Sequence, residues 1–200
     1  IDAMGGDNGV ESVVKGIARS LKQNKNLLFL IHGEKAQLEE QISNHPQITD
    51  ACSIISCSSI VDMNEKPSTA LRSGKDSSMW SCLDSLSKGD ANIALSCGNT
   101  GALMAMSMVK LRKASGINRP AIAVLWPARN KRGFNIVLDA GADIKADAVD
   151  LLQYALMGAE YARNGFGILK PRIGILNVGI EDHKGRNELH EASVLIKEVE

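Results

Sequence analysis

Aromatic side chains are scarce: three Phe, two Tyr and two Trp make up 4% of the 200 residues. That excludes a core built on stacked rings, so the interior must be aliphatic. Net charge is also absent, with 23 Lys plus Arg against 23 Asp plus Glu. No long-range field draws the chain to nucleic acid or to an anionic membrane, and any basic site has to be local. Cysteine is limited to Cys52, Cys57, Cys82 and Cys97, with no CxxC pair. This argues against a disulfide scaffold and for reduced thiols. No apolar run reaches the length of a membrane span and no leader pattern is visible, so a cytoplasmic protein is expected.

Several cofactor and catalytic signatures are missing too. Gly5, Gly6 and Gly9 have the wrong spacing for GxGxxG, and nothing else supplies that fingerprint after a strand. No GxxxxGK[ST] phosphate loop, HExxH or GxSxG occurs, and His32, His45, His183 and His190 form no ligand cluster. Neither a cofactor nor a metal is expected, and covalent serine catalysis is not the obvious route.

What is present is an alternation of element types. Apolar positions at helical spacing over 10–22 predict a helix, and the continuous apolar run 27–33 predicts a strand buried on both faces. Further helices are expected at 34–42, 77–86, 100–113, 146–163 and from 187. Further strands are expected at 52–56, 92–96, 121–125, 135–138 and 172–178, with a polar loop over 62–75. Such alternation defines an α/β fold with a mostly parallel sheet between helical layers. The chain reads as one domain, 1–200, forming the N-terminal two thirds of a longer protein, because both ends fall inside predicted elements.

The informative feature is how the strands end. "DAMGGDNG", "SCGNTG", "LDAGAD" and "NVGIEDHKG" each follow an apolar run with a small, Gly-containing turn that leads toward a helix. In a parallel sheet such turns gather at the carboxyl edge, where open α/β folds bind ligands. Glycine permits close backbone approach, and a helix N-terminus offers unpaired N–H groups to an anion. Gly5, Gly6, Gly98, Gly101 and Gly179 are therefore candidate phosphate- or substrate-binding positions.

The segments "DAMGGD", "EKPSTALRSGKDSSM", "SCGNTGALM", "INRPAIA", "LDAGAD", "LLQYALMG" and "PRIGILNVGIEDHKGRNEL" occur together in this order. The whole chain thereby resembles the bacterial phosphate acyltransferase family of phospholipid synthesis, PlsX. The resemblance implies transfer of an acyl group from acyl-acyl carrier protein to inorganic phosphate. It also implies a three-layer αβα sandwich similar to isocitrate and isopropylmalate dehydrogenases, a homodimer, and peripheral membrane contact through a further part of the protein. Two departures stand out: the family has Pro after its first motif, where this chain has "DNGVE", and often Ala where Cys97 stands. A dehydrogenase of the related fold and a non-catalytic carrier-protein scaffold are the alternatives.

The implied reaction can be set against the residues. Phosphate is largely a dianion near neutral pH and attacks a thioester without a strong base. The protein must position it and stabilise the oxyanion that forms. Asn99 and Thr100 are candidate catalytic donors, with N-capping of the following helix as their other reading. Lys184 is the first candidate cation and Arg119 the second. Cys97 is a candidate nucleophile or a small hydrophobe. Asp139, Asp143, Glu181 and Asp182 crowd the same predicted edge, an unexpected acidity beside an anion site. The helix from Thr100 is apolar all round and expected to be buried, with Met104, Met106 or Met108 lining an acyl groove or a dimer contact. The basic loop "ARNKRG", 128–133, would suit an acidic carrier protein.

Overall fold

A computed structural model of the chain describes residues 1–140, 145–179 and 184–199. Asp143, Glu181, Asp182 and His183 lie outside the described residues, as do parts of the two later glycine turns. The chain is α/β and falls into two compact units, 1–112 and 113–200.

The first unit carries the parallel sheet. Helix α1 (Gly9–Gln23) buries Val10, Val14, Ile17 and Ala18, the i, i+4, i+7, i+8 stripe that the periodicity predicts. Strand β1 (Phe29–Gly33), helix α2 (Lys35–Ser43) and strand β2 (Cys52–Ser56) follow, with Pro46–Ala51 as a 3-10 turn before β2. The two strands pair in parallel from Phe29 with Cys52 to Gly33 with Ser56. On the other side of β1, Asp2 bridges His32 and Ser96, both in the parallel sense. The Ala3 amide donates to the His32 carbonyl at 3.0 Å, and the Asp2 amide to the Leu95 carbonyl at 2.8 Å. The stretch predicted as a strand at 92–96 thus joins the sheet at a single bridge, with Ile93 and Leu95 left exposed.

Helix α3 (Pro67–Ser73) lies inside the segment predicted as a loop. Its start is set by Pro67 at the first helical position, where the lost N–H costs nothing and φ is already helical. Helices α4 (Ser78–Lys88) and α5 (Thr100–Lys110) complete the unit. One core joins α1, α2 and β1 around Val14, Ile17, Ile31, Leu38 and Ile48. A second joins α3, α4 and α5 around Val61, Ala70, Met79, Leu83, Ala102 and Met106. Helix α5 is not buried on all sides: Ala102 and Met106 face α3 and α4, while Met108 and Val109 are exposed. It also stops at Lys110, with Leu111 extended. Lys110 pairs with Asp84 and lies 4.6 Å from the Trp80 ring centroid, which ties the end of α5 to α4.

In the second unit, β3 (Ala123–Pro127) and β4 (Phe134–Leu138) pair antiparallel, contrary to the mostly parallel expectation. The connection is the short basic loop, and a parallel pair needs a crossover of a dozen or more residues. Gly133 takes a left-handed φ of 79° to close this turn. Helix α6 (Ala148–Phe166) starts in a capping box of Asp147 and Asp150 and ends at Gly167, which is left-handed. Helix α7 (Asn187–Lys197) packs on α6. The segment predicted as a strand at 172–178 belongs to no ladder among the described residues, and Leu176 and Val178 are each 84% exposed.

His32 is 1% exposed, and its Nδ1 lies 2.9 Å from Ser81 Oγ. Burial lowers its pKa to about 4. The unfolded chain therefore binds a proton between about pH 6.5 and 4 that the folded chain does not, and stability falls as pH drops through that window. Urea titrations should show a loss of up to roughly 3 kcal/mol across it, flattened in His32→Gln.

Candidate oxyanion site at a glycine junction

Asp2 ends the first sheet segment as a buried carboxylate, 1% exposed, and every contact it makes is a donor. Its Oδ1 accepts from Ser78 Oγ at 2.6 Å, the Gly5 amide at 3.2 Å and the Met4 amide at 3.3 Å. Its Oδ2 accepts from Ser96 Oγ at 2.7 Å, and Ser96 Oγ in turn accepts from the Gly98 amide at 3.1 Å. One side chain thereby fixes the first glycine turn, the start of α4 and the turn that enters α5. Burying a charge is tolerable only when its lone pairs are filled in this way.

The candidate glycines are packed against protein. A Cβ on Gly5 would stand 2.5 Å from Asp2 Oδ2 and 2.9 Å from the Gly98 backbone. Gly6 is left-handed at φ 98°, and a Cβ there would stand 3.0 Å from Cys97. A Cβ on Gly98 would meet Met79, and one on Gly101 would stand 2.8 Å from Pro67. The space that glycine opens at Gly5, Gly6, Gly98 and Gly101 is filled by neighbouring chain, which brings two strand-end turns into backbone contact.

Asn99 is the N-cap of α5: its Oδ1 accepts from the Ala102 amide at 3.0 Å. Its Nδ2 donates to the carbonyls of Asp62, Met63 and Glu65 at 3.1, 3.1 and 2.8 Å. The residue is 8% exposed, and both ends of its amide are committed. Thr100 is exposed, and neither its N–H, its hydroxyl nor the Gly101 N–H is engaged among the described residues. These donors lie at the positive end of α5, an arrangement that favours an oxyanion. Cys97 is exposed beside Gly6.

Lys184, Arg119 and Gly179 belong to the second unit. Lys184 is partly buried and Arg119 exposed, and each residue takes part in a further interaction. The Lys184 carbonyl accepts from Asn177 Nδ2 at 3.0 Å and lies 2.9 Å from His190 Nε2, so the turn is held through its backbone. Asp139 follows β4 with a left-handed φ of 57°, and its buried Oδ2 has no hydrogen-bond partner among the described residues. Among the described residues no group of His, Cys, Asp and Glu is placed to hold a metal ion, and no helix is long and apolar enough to cross a membrane. Reading the sequence missed the roles of Asp2, Ser78 and Ser96. The available signal was an Asp inside an apolar stretch, immediately before a glycine turn.

The layout defines a class first: an α/β protein whose candidate chemistry sits where parallel segments end and a helix begins. The chain belongs to the fatty acid synthesis protein family, whose profile matches residues 1–200. It is 58% identical over 196 residues to a phosphate acyltransferase of Jannaschia sp. (strain CCS1), covering 98% of this chain and 54% of that one. It is 57% identical to a phosphate acyltransferase of Paracoccus denitrificans (strain Pd 1222), covering 98% and 53%. It is 52% identical to one of Roseobacter denitrificans (strain ATCC 33942 / OCh 114), covering 99% and 56%. The chain spans about half the length of these curated relatives.

Asn99→Asp keeps the cap acceptor but places a carboxylate against three carbonyls. It should cost roughly 2 kcal/mol by urea denaturation and open 62–65 to limited proteolysis, an effect that a capping role alone would not produce.

Proposed function

We propose that the protein moves a fatty acyl group from acyl-acyl carrier protein to inorganic phosphate, giving acyl phosphate for phospholipid synthesis. The observation that carries this reading is membership of a family whose matched relatives are named phosphate acyltransferases. The chemistry fits the residues. A phosphate oxygen attacks the thioester carbonyl, the carbon–sulfur bond breaks, and the thiolate leaves with the proton that phosphate gives up. No oxidation state changes, so the reaction calls for no redox cofactor.

In this reading the oxyanion forms at the N-terminus of α5, stabilised by the Thr100 hydroxyl and by the N–H groups of Thr100 and Gly101. Asn99 acts by holding that helix end, and Gly5, Gly6 and Gly98 set the junction beneath it. Lys184 is kept as the candidate cation, and Arg119 and Gly179 as candidate substrate-binding positions, on the sequence reading of the second unit alone. The exposed Arg129, Lys131 and Arg132 of the β3–β4 turn offer an acidic carrier protein a complementary surface. For the whole protein we infer a three-layer sandwich similar to isocitrate and isopropylmalate dehydrogenases. We also infer a cytoplasmic homodimer with peripheral membrane contact.

The test is phosphate-dependent thiol release and acyl phosphate formation by the full-length protein supplied with acyl-acyl carrier protein. Thr100→Val and Lys184→Ala should each lower kcat by about a hundredfold with little change in thermal midpoint. Full activity in both variants would remove the site assignment. Absence of phosphate-dependent release in the parent protein would leave the scaffold reading, and binding of a nicotinamide nucleotide would favour a dehydrogenase.

A further inference from the structure

The motif "EKPSTALRSGKDSSM" lends Glu65, Pro67, Ser78 and Met79 to the junction described above, and its Lys75 and Asp76 border a cavity in the first unit. The cavity, about 300 Å³ in volume, opens at the carboxyl end of β2 and is lined by Ser56, Cys57, Ser58, Lys75, Asp76 and Ser81. This is the edge of a parallel sheet at which α/β folds hold ligands.

The loop that carries Lys75 and Asp76 is held from several sides. A Cβ on Gly74 would stand 2.8 Å from Met106 Cε, so that residue is seated against the core. Ser77 Oγ donates to the Gly74 carbonyl at 2.5 Å, and the Ser78 amide donates to the Ser59 carbonyl at 3.1 Å. Ser78 Oγ binds Asp2, and Ser81 Oγ lies 2.9 Å from the buried His32. Lys75 and Asp76 are nevertheless exposed, and neither pairs with another side chain among the described residues. Ser56 and Ser58 are exposed too, and their hydroxyls make no hydrogen bond among the described residues. A fixed backbone therefore presents an ammonium group, hydroxyls and one carboxylate to the same small polar space.

We propose that this cavity is the ground-state binding place of inorganic phosphate, with Lys75 as its cation and Asp76 as its hydrogen-bond acceptor. The inference rests on the acyltransferase reading and names the subsite that reading requires. Lys75, Ser56 and Ser58 donate to three oxygens of the dianion. Asp76 would repel an anion without a proton, but phosphate near neutral pH keeps one hydroxyl, which a carboxylate can accept. Sulfate has no such hydroxyl. The carboxylate thus turns a general anion cradle into one that prefers phosphate, by leaving the wrong ligand with an unmatched charge.

The full-length protein tests this by two readouts, steady-state kinetics with acyl-acyl carrier protein and calorimetric titration with inorganic phosphate. Lys75→Ala should raise the KM for phosphate and weaken its calorimetric affinity by about tenfold or more, while the acyl-donor KM and kcat hold. Lys75→Arg should restore much of the loss. Asp76→Asn should tighten sulfate inhibition by about tenfold relative to phosphate. The inference is overturned if Lys75→Ala leaves phosphate binding within about twofold, or if Asp76→Asn shifts phosphate and sulfate alike. A parent protein that binds phosphate through Lys75 but releases no thiol would support the cavity and defeat the acyltransferase reading.

Discussion

The buried carboxylate of Asp2 is the constraint on which the first unit depends. Its partners come from far apart in sequence: the Gly5 turn, Ser78 at the start of α4 and Ser96 before α5. A backbone ladder alone joins these segments weakly, since Asp2 makes only single bridges to His32 and Ser96. The side chain supplies what the short sheet lacks, a common anchor for three turns. Its oxygens are surrounded by hydroxyl and amide donors, which is what makes the burial of such a group tolerable.

From that anchor the order of the site follows. With Ser96 held, the Gly98 amide is held, and the turn enters α5 at a fixed angle. Gly5 and Gly98 touch because neither has a side chain to keep the backbones apart. Asn99 then joins the helix end to 62–65, which leaves Thr100 at the surface with its donors unspent. The division of labour is physical. The polar groups that are buried build the site, and the ones left exposed are available to a ligand.

Much of the fold was legible in the residues, and the exceptions have causes. The stripe in α1, the runs that form β1 and β2, and the starts of α5 and α7 agree with the structure because local periodicity and burial point the same way. Helix α3 was hidden because Ser and Thr after Pro67 read as loop chemistry, although Pro favours a first helical turn. The sense of the β3–β4 pair was legible in principle from the short 128–133 connection, but the apolar runs outweighed it. At the site, sequence reading found Asn99 and left its two roles open. Which role an amide takes depends on whether distant carbonyls reach it, and those of 62–65 do. Asp2 carries no motif spacing of its own, since its partners come from remote turns.

Residues 171–179 belong to no helix or ladder among the described residues. Ile173, Leu176 and Val178 are exposed, and among the described residues no strand pairs with the backbone there. Unpaired apolar backbone of this composition is a template for pairing with whatever extended chain arrives first. In a crowded solution that makes it a nucleus for aggregation, and handling the 200-residue chain in isolation becomes a contest between solubility and strand addition.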